Sequence, residues 1–564
     1  MTVSDSDMSA LKWIYKASEK QRFRLVFLVI GNTVFAVASV FFALLCRNIV
    51  DGATDKDPDA VIKSGIGLFL IIAGMLLLRL FSNSLNEVIR AGLEKDLRGR
   101  MLSSMLKKEY GKSSAYNSGE LLNRMFSDVS VVVDGTTSIL PAFANMVTKL
   151  IGATVILLML DLSFTLVFLC AGTVMFVVSR VLRKRIKHLH KNVQETNGIV
   201  RFFLQETLEN RLTVKVFGTE EKMERINERN QQEHYKARMK RRAVSILANG
   251  GFGFIFQVGY LYAILWGAFK IIDGAMTYGT LTAILQLVNQ IQQPFASISA
   301  LFPKFYGMIA SAERIIELES LPDEEKPERK LSYDKLRAIS VNNTSFSYGE
   351  NDVIKNADIR IEKGDFVSFT GISGGGKSTF FLLLLGIYKS TEGEIIFEAE
   401  GSDYYPGGET RSLFAYVPQG NVLFSGTVRE NITFLNETAS EEEIAEAMRI
   451  SCVSSFIDEL PDRLETKIGE HGFGISEGQA QRIAVARAVL SGSPILLFDE
   501  ATSALDEETE AELLKNISEI KDKSLIIVTH RKKALEICNK HLILKEGRIE
   551  YDDSERSRVS YPTA

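Results

Sequence analysis

The chain has 564 residues, 46% of them hydrophobic, a formal net charge of −4 and a mean hydropathy of +0.06. One hydrophobic core does not serve a chain of this length, so we expect several domains, and the intermediate hydropathy suggests two unlike halves. The near-neutral charge gives no indication of nucleic-acid binding. The four cysteines lack metal-ligand spacing and are interpreted as reduced packing residues: Cys46, Cys170, Cys452 and Cys538.

The N-terminal segment 1–22 mixes acidic and basic side chains with the aromatic residues Trp13 and Tyr15. This composition does not fit a cleavable signal peptide. It predicts a short interfacial helix at the membrane surface, with a cytosolic tail as the alternative.

Six apolar stretches are long enough to span a bilayer, which requires roughly 20 residues each. They lie at about 23–46, 62–86, 138–160, 162–182, 245–269 and 278–306. Their length and number argue against buried helices of a soluble protein. We therefore predict an all-α, six-helix transmembrane domain at 23–312, with helical extensions at about 87–137 and 183–244.

The distribution of basic residues predicts the orientation of this domain. The connection 51–60 is acidic, whereas the segments that follow the second and fourth spans are rich in Lys and Arg. The basic segments and both termini are therefore expected in the cytoplasm, in a multi-pass protein of a bacterial cytoplasmic membrane. The turns Tyr116–Leu122 and Arg211–Gly218 have no chemistry of their own and are hypothesised to be packing surfaces that contact a domain on that side of the membrane.

Polar side chains inside two spans suggest a path for a solute. They are Asn145 and Lys149 in the third span and Gln286, Asn289, Gln290 and Gln293 in the sixth. A charge at mid-membrane costs on the order of 2.5–3.5 kcal/mol, so such residues are usually functional. The hypothesis is a wet cavity for a polar or amphipathic solute. The alternatives are hydrogen bonds between helices and, for Lys149, a side chain that extends to the membrane–water interface.

After a charged, proline-bounded linker at 313–335, short strands alternate with helices over 336–550, and a polar tail at 551–564 is expected to be disordered. The segment Gly371–Thr379 follows an apolar strand and opens an apolar helix, which is the context of a phosphate-binding P-loop. The nucleotide-binding candidates in it are Gly371, Ser373, Gly374, Gly375, Gly376, Lys377, Ser378 and Thr379.

The lysine and the hydroxyl of this loop have separate predicted roles. Lys377 can reach the β- and γ-phosphates of ATP, and Ser378 can ligate Mg²⁺. A flexible glycine linker is the alternative, and the flanking strand and helix argue against it.

A second apolar strand ends in two carboxylates, Asp499 and Glu500. Asp499 can hold Mg²⁺ through water, and Glu500 can polarise the water that attacks the γ-phosphate. Acids that merely cap a strand end are the alternative.

With these motifs in order, residues 23–550 resemble an ATP-binding cassette (ABC) exporter half-transporter of the type IV fold, a multidomain membrane protein with one six-span domain fused to one α/β P-loop ATPase domain. The resemblance assigns the γ-phosphate switch to His530, the adenine-stacking aromatic to Tyr348 and a Mg²⁺-sensing role to Gln419. It identifies Ser503–Asp506 as the D-loop, with Asp506 at the nucleotide site.

The resemblance also identifies Ile475–Gln479 as the signature motif, through which Ser476, Gly478 and Gln479 contact the nucleotide of a second chain. Here the sequence departs from leucine-serine-glycine-glycine-glutamine, with Ile475 for leucine and Glu477 for the first glycine. A carboxylate beside a phosphate would repel it, so we expect Glu477 to point outward.

The resemblance implies an ATP hydrolase coupled to transport, a translocase that uses ATP and Mg²⁺ and works as a dimer in membrane lipid. A homodimer is favoured and a heterodimer remains open. The expected activity is export of a peptide, drug-like or other amphipathic solute by alternating access, with a lipid or lipid-linked flippase as the alternative. An ATP-gated channel or a non-transporting sensor is an alternative of another class, and the complete catalytic set argues against mere sensing. The six spans exclude a soluble ATPase acting on nucleic acid.

Overall fold

The computed structural model describes residues 5–552 except 328, 373, 421–422, 470–473 and 521; inside the helices, side chains at 5–6, 169–184, 186–187, 248–249, 252 and 293–300 are also outside the described part. The chain divides into two compact units. Unit one comprises Met1–Met105 and Asn117–Ser320, and unit two comprises Leu106–Tyr116 and Leu321–Ala564.

Helices account for the regular structure of unit one in the described part. Their bounds are α1 Asp5–Ala17, α2 Arg22–Thr54, α3 Pro58–Met105, α5 Ser118–Asn123, α6 Val129–Leu160, α7 Leu162–Glu209, α8 Arg211–Val216, α9 Glu220–Ile272 and α10 Tyr278–Glu319, while α4, Tyr110–Ser113, belongs to unit two.

Among the described residues, four helices are long and apolar enough to cross a membrane: Glu19–Thr54, Pro58–Met105, Ser118–Leu160 and Gly253–Ile272. The first three contain the predicted first, second and third spans, and the last covers residues 253–269 of the predicted fifth span. The predicted fourth and sixth spans lie in α7 and α10, where part of the side chains is outside the described set.

Apolar side chains of α2, α6, α9 and α10 form the core of the membrane helices, together with Phe164 of α7. Close approach of α2 to α6 depends on Gly152, where an added Cβ would lie 3.3 Å from a methyl of Val40. Polar N-caps fix where two helices begin: the carboxylate of Asp161 accepts from the amide of Phe164, and the hydroxyl of Thr277 accepts from that of Thr280.

The predicted interfacial helix corresponds to α1. Ala10 and Ile14 are buried, and the indole Nε1 of Trp13 donates to the carboxylate of Glu319 on α10 over 2.8 Å. Part of the aromatic face therefore packs on the protein, and Tyr15 is exposed.

The described residues of unit two form three β-sheets. The strands are β1 Leu336–Tyr348, β2 Asn351–Glu362, β3 Phe366–Gly371, β4 Glu392–Ala399, β5 Phe414–Val417, β6 Gly426–Thr427, β7 Lys467–Ile468, β8 Ile495–Asp499, β9 Ser524–Val528, β10 Lys540–Lys545 and β11 Arg548–Tyr551.

The central sheet has the strand order β11-β10-β3-β9-β8-β5, with β11 antiparallel and the other neighbours parallel. All five residues of β8 and all five of β9 are buried, as expected for strands covered on both faces. An antiparallel sheet, β2-β1-β4, and the pair β6-β7 complete the strands.

Helices cover the central sheet and form a separate helical lobe. They are α11 Lys377–Leu384, α12 Val428–Ile432, α13 Glu441–Ile450, α14 Glu477–Leu490, α15 Glu507–Ser518 and α16 Lys532–Glu536. One core joins α11 to the two larger sheets, a second joins α14 and α15 to the opposite face, and a third lies among α12, α13 and α14.

The segment around α4 packs within unit two. The rings of Tyr110 and Tyr388 pack edge to face, with their centres 6.3 Å apart. The Nζ of Lys389 lies 3.1 Å from the carboxylate of Glu109. The part of the predicted connection 87–137 that packs in unit two therefore begins before the predicted turn Tyr116–Leu122. The turn Arg211–Gly218 corresponds to α8 in unit one.

Candidate functional site

The candidate site lies where β3, β9 and β8 end. These neighbouring strands are parallel, so their carboxyl ends meet at one edge of the sheet. The P-loop follows β3, Asp499 and Glu500 end β8, and His530 follows β9 with an exposed side chain. Topology thus brings together three motifs that are far apart in the sequence.

The P-loop turns directly into α11. Gly376 is the N-cap, with φ +111°, and an added Cβ there would lie 2.4 Å from a methyl of Val353. Glycine is therefore required both by the backbone conformation and by the neighbouring strand. The amides of the first helical turn point toward the loop, where an anion is favoured.

Lys377 is buried, and its Nζ donates to the carbonyls of Gly371 at 2.8 Å and Ile372 at 2.9 Å. The ammonium group is thus held inside the loop by acceptors that a phosphate could replace. Ser373, a predicted site residue, lies outside the described part of the chain.

Asp499 is buried, with 2% of its surface exposed, and its carboxylate accepts from the hydroxyl of Tyr416 at 3.2 Å and from Ser378. Burial raises the pKa of Asp499, and these two hydrogen bonds oppose that rise. Burial also raises the pKa of Tyr416, so this residue stays a neutral donor. Sequence reasoning missed Tyr416, although it stands three residues before Gln419 on a strand beside β8.

Glu500 has φ +53°, in the left-handed region that non-glycine residues seldom adopt. Its carboxylate accepts from the amide Nε2 of Gln419 at 2.8 Å. The predicted residues Gln419 and Glu500 therefore touch each other, and backbone strain concentrates at the predicted catalytic carboxylate.

The signature motif begins α14. Ser476 and Gln479 form a reciprocal capping box, in which each side chain binds the other residue's backbone amide, and Glu477 is an exposed first helical residue. An added Cβ on Gly478 would lie 2.9 Å from the carbonyl of Ala504 in the D-loop. Glu477, which replaces the first glycine of the family motif, thus occupies an exposed position where glycine is not required. Gly478, the glycine that packs against the D-loop, is retained.

Three further residues hold the D-loop and were not identified from the sequence. Arg531 donates to the carbonyls of Leu505 and Ser503, each at 2.7 Å, and pairs with the buried Glu510 at 3.1 Å. Gln481 binds both the side chain of Ser503 and the amide of Ala504.

Positions beside the predicted motifs could have suggested two of these residues, since Arg531 follows His530 and Gln481 follows the predicted signature motif. The predicted nucleotide residue Asp506 caps α15 by accepting from the amide of Thr509.

Tyr348 lies beside the P-loop helix. Its hydroxyl lies 3.4 Å from the hydroxyl of Thr379. Its ring packs edge to face with the ring of Tyr388, with the ring centres 5.4 Å apart, and 43% of the surface of Tyr348 is exposed. Tyr348, Tyr388 and Tyr110 border a cleft of about 1030 Å³. An exposed aromatic face here is suited to stacking on a base.

In unit one, the predicted cavity residues differ in what they contact. Gln290 donates to the backbone carbonyl of Ser39 at 2.6 Å, and Asn145 donates to that of Asn32 at 3.4 Å, which ties α10 and α6 to α2. Lys149 lies 5.9 Å from the ring centre of Phe35. The remaining predicted residues are the half-buried Gln286, the exposed Asn289, and Gln293, whose side chain is not described.

The donor set at Asp499 suits Mg²⁺. A hard divalent ion takes oxygen ligands, and here the buried carboxylate of Asp499 adjoins the hydroxyl of Ser378, with the amide oxygen of Gln419 available at the same edge. Residues able to hold the ion therefore exist where phosphates would lie. No group of three or more His, Cys, Asp or Glu side chains with metal-site geometry occurs in the described ranges.

Two family models match the chain. The ABC transporter transmembrane region matches residues 25–295, and the ABC transporter model matches residues 354–503. The second range contains the P-loop, Gln419, the signature motif, Asp499 and Glu500.

Curated relatives match along most of the chain. ABC transporter B family member 1 of Dictyostelium discoideum is 30% identical over 80% of this chain, and the chain spans half, 50%, of that protein. An export ATP-binding/permease protein of Rickettsia bellii is 29% identical, covering 96% of this chain and 95% of the relative. The ATP-dependent lipid A-core flippase of Escherichia coli is 26% identical, covering 91% and 89%.

A solved structure of a bacterial Atm1-family ABC exporter with ATP bound has the same fold. It superposes with a TM-score of 0.80 at 21% identity, and covers 96% of this chain and 99% of that one.

Proposed function

The chain belongs to the ABC exporters of the half-transporter type, in which ATP hydrolysis is coupled to transport, and from this premise we propose that it exports an amphipathic solute by alternating access in a homodimer. The observation that carries the proposal is the connected set Lys377, Ser378, Asp499, Gln419 and Glu500 at one sheet edge. We place the protein in a bacterial cytoplasmic membrane with both termini in the cytoplasm, on the strength of its basic connections.

Each residue of the connected set has a separate task in hydrolysis. The Lys377 ammonium and the α11 amides bind the phosphates, and Tyr348 stacks on the adenine. Glu500 accepts a proton from the attacking water, and Gln419 fixes the orientation of that carboxylate. His530, at the adjoining strand end, contacts the γ-phosphate. When bound by Ser378, Asp499 and Gln419, Mg²⁺ would neutralise phosphate charge.

The catalytic assignment is tested by Glu500→Gln in purified protein reconstituted into liposomes. Loss of the general base is expected to reduce ATP turnover by about 10²–10⁴-fold while ATP still binds. Glu508→Gln, the same change on the exposed first turn of α15, is the control and should keep wild-type turnover. Full turnover by Glu500→Gln would remove Glu500 from the proposed mechanism.

We propose that Ser476, Gly478 and Gln479 complete the nucleotide site of a second copy. In one chain, the described contacts of Ser476 and Gly478 are with residues of α14 itself, such as Gln479 and Arg482, and with the D-loop, so the exposed start of α14 is left to face a partner. Because this chain has a complete P-loop and catalytic carboxylate, a second copy suffices, and a specialised heterodimer partner is not required.

Disulfide cross-linking tests this arrangement. In the Glu500→Gln background, Ile372→Cys and Ser476→Cys are combined in one chain, since Ile372 is an exposed P-loop residue. ATP with Mg²⁺ should give a covalent dimer from the single purified chain, and each cysteine variant alone should not. A dimer that fails to form with ATP would contradict the homodimeric site.

Lipid or lipid-linked flipping is the second candidate function. It is favoured by the flippases among the relatives and by the apolar surroundings of the polar residues on α2, α6 and α10. ATPase stimulation and ATP-dependent movement of labelled lipids, peptides and drugs, compared in the same liposomes, would separate the two candidates.

A further inference from the structure

Lys149 lies deep in the membrane part of α6. About 16 Å of helix separate it from Leu160, taking the α-helical rise of 1.5 Å per residue. That distance is longer than a lysine side chain, so its ammonium group cannot reach the interface beyond Leu160. Lys149 is half-buried and faces the ring of Phe35 on α2.

No carboxylate is available at this depth. None of the six predicted spans contains Asp or Glu, so neither this chain nor a second copy can supply a counter-ion within the spans. Lys149 forms no hydrogen bond or ion pair with the described residues. The three N–H groups of the Lys149 ammonium can therefore donate to an acceptor that is not part of the spans.

The polar side chains near Lys149 already form hydrogen bonds with the protein. Asn145, one turn before Lys149, binds the carbonyl of Asn32, and Gln290 binds that of Ser39. These contacts position α6 and α10 against α2 around Lys149. One turn beyond it, Gly152 packs closely against Val40, and the surface becomes apolar. A cation with unused donors therefore adjoins apolar helix surface, which matches an acidic headgroup on an apolar body.

We propose that Lys149 binds the acidic group of the transported solute, so that the substrates are anionic amphipaths that carry a carboxylate or a phosphate. This proposal rests on the proposed export function. An ion pair is stronger away from bulk water, and the same lysine repels cationic solutes. The ring of Phe35 and the apolar faces of α2 and α6 contact the apolar body.

Direct binding without ATP tests this proposal apart from transport. The full chain is placed in phosphatidylcholine nanodiscs, and the probes are 11-(dansylamino)undecanoic acid and its methyl ester, with empty nanodiscs as the background. Because only the acid can form charge-assisted hydrogen bonds with the ammonium group, it should bind saturably and about tenfold or more tighter than the ester. Equal affinities, or no saturable binding of the acid, would overturn the proposal.

Variants assign the preference to Lys149. Lys149→Met should bring acid and ester to within about twofold, whereas Lys149→Arg, which keeps the charge, should retain the preference. Lys63→Met, at an exposed position of α3 in the predicted second span, is the matched control and should bind like the wild type. An acid preference that survives in Lys149→Met would overturn the assignment. Binding with no ATP-dependent transport would refute only the export function.

Discussion

The P-loop and the signature motif differ in how many of their polar groups are buried and hydrogen-bonded within one chain. Lys377 is buried and donates to two loop carbonyls, and Asp499 is buried against Tyr416 and Ser378. By contrast, Ser476 and Glu477 are exposed. The first region is pre-organised by contacts within the chain, whereas the second is a capped helix end with an open face.

This difference has a physical consequence for substitutions. A change in the P-loop must disturb a packed structure and should cost binding energy directly. In the proposed dimer, a change at the exposed start of α14 would alter a charge near the phosphates bound by the partner and should act weakly, through electrostatics screened by water and salt. The predictions below test this order of effects.

The largest effect is expected from Gly376→Ala. The left-handed backbone at this position costs an alanine about 1–3 kcal/mol, and its methyl would also meet Val353 at 2.4 Å. ATP affinity, measured with a fluorescent ATP analogue, should fall by about tenfold or more.

Gly374→Ala serves as the comparison, because Gly374 also has a positive φ of +76° but no atom within 4 Å of an added Cβ. Its loss of affinity should be smaller. Equal losses in the two variants would show that the contact with Val353 is unimportant.

A smaller effect in the opposite direction is expected from Glu477→Gln and Glu477→Gly. Removing a carboxylate from a helix N-terminus that receives phosphate changes the interaction by about 0.3–1 kcal/mol, so the KM for ATP should fall by about two- to fivefold. The gain should shrink at high salt.

Glu507→Gln is the matched control, since Glu507 is likewise an exposed first residue of a helix, α15. Its KM should equal that of the wild type. If Glu477→Gln also left KM unchanged, the carboxylate of Glu477 would lie too far from the phosphates to matter.

The smallest effect is expected from Tyr416→Phe and concerns pH. The hydroxyl of Tyr416 stabilises the charged form of Asp499, so its loss should raise the pKa of Asp499 further. Asp499 would then become protonated at a higher pH, and the acid limb of the ATPase profile should move to higher pH. Tyr404→Phe, a buried tyrosine elsewhere in unit two, should leave the profile in place. An unchanged acid limb in Tyr416→Phe would mean that the hydrogen bond does not control Asp499.

Sequence motifs were enough to identify residues that act through local geometry. The P-loop glycines connect β3 to α11, Lys377 begins α11, and Asp499 and Glu500 stand at the end of β8 and directly after it, so spacing alone places them. Tyr416, Gln481, Glu510 and Arg531 were not identified, because each acts across strands or helices that are distant in the sequence. A tyrosine on β5 reaches Asp499 only because β5 pairs with β8.

The sequence by itself determined the order of the membrane helices and the α/β domain and the positions of the P-loop and of the two carboxylates after β8, because helix length, apolar runs and glycine spacing are local properties. Only the tertiary structure decided which polar groups in the membrane helices satisfy each other. Asn145 and Gln290 bind carbonyls of α2, and Lys149 does not. It also decided that Glu477 occupies an exposed helical position while Gly478 packs on the D-loop, because such contacts depend on elements that fold together from separate parts of the chain.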